Sequence, residues 1–223
     1  MSNNNAFYTI DELPTKIPLF MIRGAVLLPR AQITLPLFDI DQVTLLNDCL
    51  QKKSMLGLIQ PNIPIHKKTD LEDFDLFTTG CVTRVVDLTE GKDSKLAVSL
   101  EGICRFKLID QMDEGDAYPM ATVDYQPFAQ DLAYESDFSM DRVRLIKALK
   151  PYFDRLDITP NWEEIHQISN QKLITALSMA CPLGPSEKQI LLETESMKEQ
   201  SEIMTKLIEM ASMSEYTESV TYH

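Results

Sequence analysis

The chain has 223 residues, 44% of them hydrophobic, with 34 acidic against 21 basic side chains and a net charge of -13. That is enough apolar material for one large domain or two small ones, but the longest apolar runs, such as AVLL at 25–28, are about four residues, where a bilayer needs roughly 18. The acidic excess is spread evenly, net -6 over residues 1–130 (12 basic, 18 acidic) and net -7 over 131–223 (9 and 16). Nucleic acid is therefore an unexpected partner.

The start MSNNNAFYTIDELP has no basic flank leading into an apolar stretch, so a secretory leader is not expected and a cytoplasmic location is. Next comes IPLFMIRGAVLLPRAQITLPLF, in which Pro18, Pro29 and Pro36 exclude a continuous helix and punctuate short strands. Pro36 in particular belongs at a sheet edge or bulge. Strands are expected in GAVLLP, MLGLIQP, GCVTRVVDL, KLAVSLEG, RFKLID and ATVDYQPF, each rich in β-branched residues or bounded by Gly, Pro and Asp. One helix interrupts them, DQVTLLNDCLQKK, with Val43, Leu46, Cys49 and Leu50 on one face. EGKDSK at 90–95 reads as a hairpin loop, and LEDFDLF at 71–77 as a surface connection.

Beyond about residue 130 the period becomes helical. Val143, Ile146, Leu149, Phe153 and Leu156 form one stripe with a kink at Pro151. A second helix is expected from a Thr159 cap and Pro160 to about Ala180, and a third from Ser186, paired with Gln189 as a capping box. Ile190, Met197, Met204 and Ala211 would form the packing stripe of that third helix. The resulting division is a β-rich domain over 1–130 and a helical one over 131–223.

Motifs of catalysis are missing. The seven glycines fit neither G-x-G-x-x-G nor a P-loop, and there is no G-x-S-x-G. Three histidines without ligand spacing imply no metal site, and no cofactor is implied either. Cys49, Cys81, Cys104 and Cys181 lie far apart in apolar segments and read as buried thiols. The protein is not expected to be an enzyme. Residues suited to holding another polypeptide are Met210 and Met213, where the stripe fades, together with Tyr216. Arg23 in MIRGA and Arg105 in GICRF are further candidates, with a structural ion pair as the alternative for each. Trp162, at a helix start, reads as an anchor for the helical part.

The proline-rich opening, MLGLIQP, GCVTRVVDL, LAVSLEGICRFKLID and LGPSEKQILLETESMKEQSEIM occur in that order. Together they resemble the N-terminal, substrate-binding domain of Lon proteases, particularly bacterial proteins in which that domain stands alone. The most specific segments are the opening, GICRF at 102–106 and EKQ-x-LLE at 187–193. The resemblance implies an α+β fold, a PUA-like β pseudo-barrel followed by a C-terminal α-helical bundle. It also implies a non-catalytic module that binds unfolded or damaged polypeptides, or an accessory to full-length Lon. The ATPase motifs and Ser-Lys peptidase site of Lon belong to later domains and have no counterpart here. Self-association through the Met-bearing last helix is a further expectation. In the family the second LPL run leads into a Phe-Glu-Pro-Arg-Tyr-like segment; here LPLFDIDQV keeps Phe38 and Asp39 and loses Pro-Arg-Tyr. Two other readings stay open: a nucleic-acid or small-molecule binder using the barrel, and a hydrolase whose site is assembled from dispersed residues.

Overall fold

The computed structural model describes residues 8–37, 40–63, 75–90, 96–112, 118–133 and 138–213. Residues 91–95 of the hairpin loop expected in 90–95, most of the 71–77 connection, Phe38, Asp39 and Tyr216 lie outside the described residues. Contacts divide the chain into two units, Met1–Glu135 with Met179–Glu193, and Ser136–Ser178 with Thr194–His223. One helical segment thus returns to the first unit after the chain has left it, which a single cut at residue 130 does not describe.

The first unit is built on six strands, β1 (Lys16–Met21), β2 (Gln32–Pro36), β3 (Leu56–Ile59), β4 (Thr79–Glu90), β5 (Leu96–Met112) and β6 (Met120–Asp124), in the order β2-β5-β4-β3-β1-β6, with β6 also paired to β5. All pairs are antiparallel except β1–β3. A parallel pair needs a crossover, and α1 (Ile40–Lys52) lies within it. Pro36 ends β2, which among the described strands pairs with β5 alone, so its missing N–H costs no ladder bond to a second described strand.

Two strand expectations are corrected. GAVLLP is not a strand, although Val26, Leu27 and Leu28 are buried. KLAVSLEG and RFKLID are one strand, β5, which continues through Gly102 with a register shift against β4 just beyond it. Gly102 is a contact point rather than a breaker. Its N–H donates to the Ala31 carbonyl (2.9 Å) and its carbonyl accepts from the Arg30 N–H (2.8 Å), laying the 22–31 loop against the sheet. A Cβ at this position would overlap the Leu28 carbonyl oxygen. Register shifts at Val85/Asp87 and Leu108/Asp110 leave Val86 and Ile109 facing water, as β-bulges do. On α1 the buried residues are Leu45, Leu46 and Cys49, while Leu50 turns outward.

All four cysteines are buried and reduced. Burial pushes the Cys104 thiol up to about 12 and raises Cys81 and Cys49 for the same reason. An unfolded thiol ionises near 9.0, so the stability that protonated Cys104 contributes is whole below that pH and is lost as the pH climbs toward 12. Urea melts of a Cys104→Ala chain should therefore decline less steeply through this alkaline window, by up to about 1.4 kcal/mol per pH unit. Equal slopes for parent and variant would contradict it.

The second unit carries α2 (Arg142–Arg155), α3 (Trp162–Gln167), the body of α4 (Asn170–Ala180) and α6 (Met197–Met213). Asp141 caps α2 by accepting the Arg144 N–H (2.9 Å), and Leu145, Ala148, Leu149, Tyr152 and Phe153, spaced at three and four residues, form its buried face. Val143, expected on the inner stripe, points out. The helix expected from Thr159 to Ala180 is two helices, because Asn161 rather than Thr159 caps the first (3.2 Å to the Glu164 N–H), Ile168 is extended, and Ser169 accepts from the Lys172 N–H (3.3 Å) at the second start. The Trp162 ring packs 6.1 Å from that of Phe153. Likewise the last expected helix is broken at 194–196 into α5 (Pro185–Glu193) and α6. That break places Ile190 half-exposed on α5 while Met204 and Ile208 are fully buried on α6.

Candidate functional site

GICRF and EKQ-x-LLE meet within the first unit. Arg105, on β5, is 7% exposed and grips Asp131 of the 126–132 turn with two parallel bonds, Nε to Oδ2 (2.9 Å) and Nη2 to Oδ1 (2.8 Å). Its own backbone N–H donates to the same Oδ2 (2.9 Å), Nη1 donates to the Leu192 carbonyl at the end of α5 (3.1 Å), and its guanidinium lies 4.5 Å from the Phe128 ring centre. The side chain is spent inside the unit. It joins three elements and caps a helix C-terminus, so Arg105 is corrected from a binding candidate to a structural clamp.

The start of α5 is held as firmly. Pro185 occupies the first helical position, and Glu187, not Gln189, reaches back to the Gly184 N–H (2.7 Å). Gln189 donates to the Thr79 carbonyl (3.0 Å) and accepts from Gln60 (3.1 Å), which also accepts the Gly24 N–H (2.9 Å). Lys188 donates to the Gly24 carbonyl (3.0 Å) and the Met179 carbonyl (3.5 Å), and burial lowers its pKa. Both peptide groups of Gly24, a residue at φ 77°, are thus pinned, and Arg23 beside it is exposed on the loop.

Met210 and Met213 sit one turn apart at the end of α6, 67% and 83% exposed. Arg144, on the first turn of α2, forms a forked ion pair with Glu209 (2.7 and 2.6 Å), so the start of α2 lies beside the end of α6. Val143, 80% exposed, belongs to the same helix end. The structure therefore leaves Met210 and Met213 exposed one turn apart, and leaves Val143, which the expected stripe had assigned to the core, exposed on the first turn of α2. The spacing of Leu145, Ala148, Leu149, Tyr152 and Phe153 was the signal that puts Val143 on the opposite side of α2. Arg23 lies in the other unit.

The family model for the ATP-dependent protease La (LON) substrate-binding domain matches residues 16–210. The chain belongs to this family. Among curated relatives, this Lon substrate-binding domain is similar to the Lon protease of Parabacteroides distasonis, 27% identical over 203 residues that cover 86% of this chain and 23% of that protein. It is also similar to the Lon protease of Anaeromyxobacter dehalogenans, 22% identical over 206 residues. The chain spans about a quarter of the length of these relatives. Two solved structures share its fold. They are the Lon N-terminal domain protein from Xanthomonas campestris (TM-score 0.57, 21% identity, 85% of this chain and 96% of that one) and the N-terminal domain of the Mycobacterium avium complex Lon protease (TM-score 0.59, 13% identity, 86% and 97%). Both segments that carry the likeness, GICRF and EKQ-x-LLE, turn out to hold this Lon domain together. Membership of the family supports a substrate-recognition role. Among the described residues no helix is long and apolar enough to cross a membrane.

Proposed function

We propose that this Lon substrate-binding domain is a non-catalytic module that holds apolar segments of unfolded or damaged polypeptides, or presents them to a Lon protease. In this reading the strand circuit β5-β4-β3-β1-β6 with its β6–β5 closure is a PUA-like pseudo-barrel, and the helical unit is a bundle that carries the contact surface. One observation carries the proposal. Three flexible or branched apolar side chains, Val143, Met210 and Met213, are left in water on adjoining helix ends. Exposed methionines adapt to partners of varied shape, which suits clients that share no sequence. Arg23, on its own loop, is a second and separate candidate contact.

The test is a fluorescence anisotropy titration of the full chain against reduced, carboxymethylated lactalbumin, which is permanently unfolded, and against native lactalbumin. Binding to the unfolded form alone is expected. The double substitution Met210→Asp with Met213→Asp should weaken it about tenfold or more while leaving the melting temperature in place, because two exposed side chains contribute little to the fold. Binding of the double variant with the affinity of the parent would remove this surface from consideration. Salt-sensitive RNA binding with no polypeptide binding would favour the alternative reading as a nucleic-acid binder.

A further inference from the structure

Sulfur in this protein is sorted by exposure. The four thiols are buried, and a buried, protonated thiol is a poor nucleophile. Among the methionines whose side chains are described, Met204 is fully buried, Met21, Met55, Met120, Met140, Met179 and Met197 are half-buried, and Met210 and Met213 are exposed. Among these described side chains, an oxidant arriving from solvent meets thioethers before thiols, and the most exposed of them sit at the end of α6.

We propose that Met210 and Met213 form a peroxide-responsive modification site whose conversion to sulfoxides switches off recognition by this surface. The inference rests on the recognition reading above for its consequence, but not for the site. A sulfur lone pair attacks one oxygen of a hydroperoxide and the O–O bond breaks. The sulfur loses two electrons and becomes the sulfoxide, while the peroxide is reduced to an alcohol, or to water when it is hydrogen peroxide. Each sulfoxide places a strong hydrogen-bond acceptor where the thioether was apolar. Burying that oxygen against an apolar client segment leaves it without a donor, so the oxidised surface binds poorly. The change is reversible, since methionine sulfoxide reductases act on both epimers.

The full chain is treated with hydrogen peroxide, and oxidation at each methionine is followed by peptide mass spectrometry. Binding of reduced, carboxymethylated lactalbumin is measured before treatment, after it, and after incubation with both reductases. Oxidation of Met210 and Met213 at least about tenfold faster than Met204 is expected, with affinity falling about tenfold and returning on reduction. Oxidation of Met210 and Met213 no faster than Met204 would overturn the site. Selective oxidation with affinity unchanged would overturn the switch and leave the recognition reading standing. Failure of the untreated chain to bind would sink that reading and the switch built on it.

Discussion

Replacing Arg105 by alanine is expected to cost the fold about 3–5 kcal/mol, the range for breaking a buried ion pair by removing one partner. The loss is large because three things go at once. Asp131, its side chain 9% exposed, loses its forked partner; the Leu192 carbonyl loses its donor; and the face of Phe128 loses the cation stacked on it. Arg105→Lys should recover little of this, since an ammonium cannot make the parallel pair of bonds and reach Leu192 as well. Equilibrium urea melts of the three chains measure the effect. A change under about 1 kcal/mol for alanine would place Arg105 among ordinary surface ion pairs and contradict the clamp.

Gly102→Ala is the second large effect, about 3 kcal/mol, at the upper end for overpacking. The added methyl meets the Leu28 carbonyl, a backbone atom that cannot swing aside, and the 22–31 loop that it would displace is bonded to Gly102 through both peptide groups. Gly24→Ala is the informative control. Gly24 has a φ of 77° but nothing within 4 Å of a built Cβ, so its cost is the left-handed backbone alone, about 1–2 kcal/mol. If thermal melts rank Gly24→Ala as the more damaging change, close approach at Gly102 is not what selects glycine there.

Much of the first unit is legible in the residues, because a strand on a buried sheet writes its own signal. MLGLIQP and GCVTRVVDL become β3 and β4, and the helix in DQVTLLNDCLQKK is α1 within a residue or two at each end. The errors share a cause. Gly102 looks like a strand breaker until the Leu28 carbonyl lies against it, and AVLL looks like a strand although it joins no strand of the sheet. In the helical part, caps decide what periodicity leaves ambiguous. Asn161 and Ser169 divide one apparent helix into two, while on α2 the spacing of Leu145, Leu149 and Tyr152 leaves Val143 outward. Arg105 illustrates the limit of local reading. Its apolar neighbours on β5 are visible in GICRF, but its partner Asp131 and its acceptor Leu192 are 26 and 87 residues away. Met210 and Met213 could be found because the apolar stripe of α6 fades before them. That the start of α2, which carries Val143, lies near the end of α6 could not, as it depends on how α2 and α6 pair.

Amide hydrogen exchange of the full chain, with and without reduced, carboxymethylated lactalbumin, tests the recognition surface most directly. Slower exchange confined to the first turn of α2 and the last turns of α6, with the sheet unchanged, is the expected result. Protection along the strands with none at those helix ends, or none anywhere at saturating probe, would contradict it.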